Sequence, residues 1–148
     1  MAFRFALAPL LRLRRSIEHQ RALALRKASL NVQRAREALA AVDRSLDDSS
    51  RADSRSLAAG RMAAELQFAI LIRERLQQLR LQLQDEIGRR EALREQAAHE
   101  YRQALQEREV LEAVCTRQRH AYQLDQMRRQ QRELDAAFLL QRWHKRDG

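Results

Sequence analysis

Four histidines and one cysteine are the side chains best suited to acid–base, nucleophilic or metal chemistry in this chain. His19, His99, His120 and His144 never stand four residues apart, the spacing that puts two ligands on one helix face, and no cluster of ligands at metal spacing accompanies them. Cys115 falls near an apolar seam and reads as a small filler; a single cysteine excludes an internal disulfide and suits a reducing compartment. The chain has no glycine-rich phosphate loop, no G-x-S-x-G turn and no paired-histidine motif. These residues point to no catalytic activity, no cofactor and no bound metal. What remains is the chemistry of association, through charge and apolar surface.

The charge is uneven. Basic residues number 29 against 20 acidic ones, for a net charge of +9, and only Lys27 and Lys145 are lysine. Residues 1–36 carry nine basic groups against Glu18, and residues 117–148 carry eight against four acids, whereas the middle is slightly acidic. Arg12, Arg14 and Arg15 lie near the beginning, and Arg128, Arg129 and Arg132 near the end. A helix macrodipole does not favour cations at its N-terminus, so stability does not account for the first group. A partner with acidic walls does. Nucleic acid is one such partner, but Glu133 and Asp135 interrupt the basic run and no nucleic-acid module is visible. A basic coiled coil that binds nucleic acid is therefore the rival reading from another class.

A second feature is the run Phe68, Ala69, Ile70, Leu71 and Ile72. Successive helical side chains are about 100° apart, so five in a row cannot all enter one narrow seam. With Ala69 and Ile72 inward, Ile70 and Leu71 point out and Phe68 sits on the shoulder. An exposed patch of this kind suits a protein partner.

The elements that must carry these residues are helices. Aromatic residues are 5% and charged residues 33% of the chain, a balance unsuited to a thick core. One proline and three glycines leave little turn chemistry for sheet. Leu, Ala, Gln, Glu and Arg fill most positions, and all are good helix formers. The composition and spacing predict an all-α fold: a long antiparallel two-helix coiled-coil hairpin with unequal arms, the C-terminal helix overhanging. The whole chain, 1–148, reads as a single hairpin. Helix one spans about 9–46 with Pro9 in its first turn, the tip about 47–56, and helix two about 57–143, roughly 130 Å at 1.5 Å per residue.

The expected seam of helix one runs through Leu10, Leu13, Ile17, Gln20, Ala24, Ala28, Asn31, Ala35, Leu39, Val42 and Leu46. That of helix two begins Leu66, Ala69, Ile72, Leu76, Leu79, Leu83 and Ile87. Asp47 to Ser56 loses the apolar period and is rich in residues that favour turns and caps, hence the tip, with Ser54 or Ser56 as N-cap. A turn there sets Leu10 opposite the neighbourhood of Leu93 and Ile17 opposite that of Glu86. Helix one is then spent near residue 97, and Tyr101, Leu105, Leu111, Val114, Tyr122, Leu124, Met127, Leu134, Phe138, Leu139 and Trp143 lie beyond its reach. No apolar run approaches the ~20 residues a membrane span needs. The start, interrupted by Arg4 and Arg12, lacks the form of a secretory signal.

The opening Phe3-Arg4-Phe5-Ala6-Leu7-Ala8-Pro9-Leu10-Leu11-Arg12-Leu13-Arg14 resembles the F-x-L-x-x-L-L-x-L-R start of the flagellar export protein FliJ family. Glu65-Leu66-Gln67-Phe68 through Glu74-Arg75-Leu76, and Arg132-Glu133-Leu134-Asp135, are similar to that family's second-helix and tail patterns. The resemblance implies a non-catalytic stalk of the flagellar type III export apparatus, similar in shape to the γ subunit coiled coil of rotary ATPases. It implies cytoplasmic localisation, peripheral at the inner face of the cell membrane. It further implies that the joined ends enter a hexameric export ATPase, with Arg12, Arg14, Arg15, Arg128, Arg129, Arg132, Leu134 and Phe138 as expected ring contacts. The export gate, a membrane protein with a cytoplasmic part, is then expected at Phe68, Ile70, Leu71 and Ile72. Escort of export chaperones is also implied. The stalk of a virulence type III secretion ATPase is the nearest alternative.

Overall fold

The structure, a computed structural model, describes residues 2–60, 62–146 and 148. Two helices make up the fold: α1, Ala8–Ala59, of 52 residues, and α2, Ala63–Arg146, of 84 residues. They form the antiparallel hairpin with unequal arms that the composition called for, with no strand among the described residues. The chain divides into two compact units, Met1–Glu18 with Gln103–Gly148, and His19–Arg102.

The second unit contains the turn, which is not where the loss of apolar period put it. Residues 47–56, expected as the tip, are helical, α1 runs to Ala59 rather than to residue 46, and α2 starts at Ala63 rather than 57. The physical reason is that the three-and-four spacing never stops; only its residues turn polar. Half-buried positions continue from Leu46 to Ser49, Asp53 and Ser56. Asp53 is paired with Arg73 of α2. Ser54 and Ser56 donate their hydroxyls to the carbonyls of Ser50 and Ala52, 3.0 and 2.7 Å away, so side chains that favour turns are absorbed inside the helix. Neither serine caps α2. Gly60 ends α1 at φ +79°, a left-handed conformation that costs glycine little and other residues more.

Within this unit the core is thin. Val32, Ala35 and Val42 are buried on α1, with Leu25, Ala28, Leu39 and Leu46 half-buried beside them; Leu66, Ala69, Leu76, Leu83, Ile87 and Ala97 of α2 are half-buried. Two expected seam residues of α2 are displaced. Ile72 and Leu79 are exposed; half-buried Arg73, bound to Asp53, holds the layer beside Ile72, whereas Arg80 is itself exposed and pairs with Asp43 at 2.9 Å. An arginine lays its methylene stem along apolar surface while its guanidinium reaches an acid, so it occupies a layer that a search for apolar residues passes over. Gln20 and Ala24 are likewise exposed, whereas Ala22 and Leu25 are half-buried.

In the first unit Leu11 of α1 and Ala104 of α2 are buried, and Leu10 and Leu13 are exposed, contrary to the expected seam. Arg14 pairs with Glu107 and Arg15 with Glu112. The expected register, with Leu10 near Leu93 and Ile17 near Glu86, is therefore overturned, because the turn lies nearer Gly60 and slides every partner along α2. Tyr101, in the second unit, and Leu105, Leu111, Val114 and Tyr122, in the first, are half-buried rather than stranded. The overhang is shorter than expected, but it is there.

Candidate functional site

The last part of α2 is the first candidate surface. Phe3, in the lead-in before α1, stacks at a tilt on Tyr122 with ring centroids 5.7 Å apart, and the Arg119 guanidinium lies 5.8 Å from the Phe3 ring. Beyond this aromatic clasp every described residue from 127 to 146 is exposed. The seam ends for a local reason, since its next two positions are Arg129 and Arg132. Large apolar side chains nevertheless continue: Leu134, Phe138 and Trp143 are 66%, 62% and 72% exposed. At 100° per residue Leu134 and Phe138 share one side of the helix, and Leu139 and Trp143 lie on roughly the opposite side.

The basic residues expected as ring contacts fall into two groups. Arg14 and Arg15 are engaged within the hairpin, by Glu107 and by Glu112 at 2.8 Å. Arg12 is exposed, as are Arg128, Arg129 and Arg132. Arg129 pairs with Asp125 one turn earlier at 3.0 Å, and Arg132 donates from Nε to the Arg128 carbonyl at 3.4 Å. The structure thus gathers Arg128, Arg129, Arg132, Leu134 and Phe138 on one overhang, while Arg14 and Arg15 serve the pairing of α1 with α2.

That pairing has its own electrostatic centre, which sequence reading missed. Arg108 of α2 binds Glu18 of α1 and Glu112, and Glu112 also accepts from Arg15. Hydrogen bonding from Arg15, reinforced by Arg108, holds the Glu112 carboxyl below the usual carboxylate range, and Glu18 raises the already high pKa of Arg108. Opposite charges at matching seam positions were the available signal.

The second candidate surface lies near Gly60, in the other unit. Phe68, Ile70 and Leu71 are exposed as expected, and Ile72, expected inward, joins them at 41% exposure because Arg73 takes the seam. Phe68 and Ile72 edge a cavity of about 560 Å³ whose remaining wall includes Ser49, Ala52 and Asp53 of α1. Small residues on α1 facing large apolar ones on α2 leave a groove. Its α1 side was hidden by reading residues 47–56 as a loop.

Among the described residues no group of three or more His, Cys, Asp or Glu side chains converges as a metal site, and no helix is long and apolar enough to cross a membrane. No curated protein and no solved structure matches the chain. The family model described as flagellar FliJ protein matches residues 3–148. The chain belongs to the FliJ family of flagellar export proteins.

Proposed function

We propose that this protein is the non-catalytic stalk that couples a hexameric export ATPase to the export gate, with the overhang of α2 seated in the ATPase ring. The observation that carries this reading is the distribution of apolar side chains on the overhang. Leu134 and Phe138 face one way and Leu139 and Trp143 the other, all exposed. A flat partner or a membrane surface covers one side of a helix; a socket covers both. Burying such side chains contributes about 1.5–3 kcal/mol each before the cost of association, enough to hold a helix that makes few other contacts. Arg128, Arg129 and Arg132 stand at the entrance to this segment and suit acidic walls. Arg12 is the remaining candidate on α1; Arg14 and Arg15 contribute by holding the hairpin closed.

The groove edged by Phe68 and Ile72, with Ile70 and Leu71 beside it, is the surface for the cytoplasmic part of the export gate. The protein then works in the cytoplasm, peripheral to the inner face of the cell membrane. Export chaperones are further partners that the family membership favours.

The test is stimulation of purified export ATPase. Replacing Leu134, Phe138 and Trp143 with serine should weaken stimulation about tenfold or more while helicity is kept. Replacing Phe68, Ile70 and Leu71 with serine should spare stimulation and lose gate binding. Full stimulation by the triple overhang variant contradicts the ring assignment.

A further inference from the structure

The overhang carries a heptad seam of its own. Leu124, Met127, Leu134 and Phe138, with Gln131 and Gln141 completing the alternation of three and four, form one exposed stripe. We propose that in the isolated protein a second copy of this chain covers this stripe, the two overhangs pairing antiparallel. The charges beside the stripe select both the occupant and its direction.

Arg128 and Asp135 flank the stripe on the same edge, one heptad apart. An antiparallel pair brings like edges together, so Arg128 of each copy meets Asp135 of the other, twice over by the two-fold axis. The layers then set Met127 against Phe138 of the second copy and Gln131 against Leu134 of the second copy. A parallel pair instead brings opposite edges together, and the facing positions are Gln123, Gln130 and Ala137, which offer no ion pair to either charge. The Asp135 carboxylate accepts one hydrogen bond from Gln131, at 3.1 Å, and keeps lone pairs for a guanidinium. A glutamine in a central layer lowers stability but fixes orientation, so the pair is weak, reversible and specific.

This pairing goes beyond the proposed coupling function, and it uses part of the same surface. It covers Leu134 and Phe138 yet leaves Leu139 and Trp143 on the far side, so a socket that covers both sides displaces it.

The experiment is sedimentation equilibrium of the full chain, alone and under reducing conditions, so its result does not depend on any ATPase. Mass should rise from monomer to dimer with concentration. Arg128→Asp or Asp135→Arg alone should weaken dimerisation about tenfold, and the double variant Arg128→Asp/Asp135→Arg should recover most of it. Oxidation of a Gln131→Cys/Leu134→Cys variant should join 131 of one copy to 134 of the other. A monomer at every concentration, assemblies larger than a dimer, no recovery in the double variant, or a dominant 131-to-131 link would each overturn the proposal.

Discussion

Arg108 of α2 binds Glu18 of α1 and, 2.6 Å away, Glu112 one turn along its own helix, which makes one arginine the junction of both acids. The side chains of Arg108 and Glu18 are about four-fifths shielded from solvent, more than those of the flanking pairs Arg14–Glu107 and Arg15–Glu112. A double-mutant cycle with Glu18→Gln and Arg108→Gln should therefore give a favourable coupling in urea denaturation, larger than that for Arg14 and Glu107. Equal couplings would show that shielding is not what matters here.

Glu112 adds a pH dependence whose sign is fixed. Its pKa is lower in the folded hairpin than in the unfolded chain, through hydrogen bonding from Arg15. The stabilisation is present above the unfolded glutamate value and is lost as pH falls through the folded one. Arg108 shifts upward, so its contribution is lost only in strong alkali. Unfolding followed by circular dichroism should show stability flat around neutrality and falling in acid, with Glu112→Gln flattening part of that fall. An unchanged acid limb in Glu112→Gln would locate the dependence elsewhere.

Asp53 and Arg73 spend a seam layer on charge, and Arg73 Nε is buried without a hydrogen-bond partner among the described residues. Replacing both with leucine should stabilise the hairpin near its turn by about 1–3 kcal/mol, whereas Asp53→Leu alone should destabilise it. Amide hydrogen exchange in residues 47–76 reads the effect directly.

At the turn itself, Gly60→Ala places a Cβ on a backbone at φ +79° and should cost about 1 kcal/mol, although no neighbour lies within 4 Å of that Cβ. A thermal scan checks it. No loss of stability would mean that the turn relaxes to another conformation.

What the amino acids disclose about this fold depends on which property of the seam is read. Two long helices, antiparallel and unequal, follow from helix-forming composition and a pattern of threes and fours, and Phe68, Ile70 and Leu71 follow from five apolar residues in succession. The turn was misplaced because the apolar signal fades at Ser49, Asp53 and Ser56 while the spacing continues; Gly60 carried the missing information. The same blindness to polar seam residues sets Ile72 inside in place of Arg73. Once the turn moved, Tyr101, Leu105, Leu111, Val114 and Tyr122 acquired cover and the overhang contracted to the segment that holds Leu134 and Phe138. Arg14 and Arg15 looked available because their acceptors, Glu107 and Glu112, are remote in sequence.

In the proposed coupling, the overhang of α2 gains its cover from the export ATPase. Amide exchange of residues 127–146, measured in the isolated protein below its dimerisation range and again with the ATPase hexamer, tests it most directly. Exchange there should slow markedly on adding the ATPase, while residues around Val32 stay as they were. Unaltered exchange over 127–146 in a complex that has demonstrably formed would contradict the account.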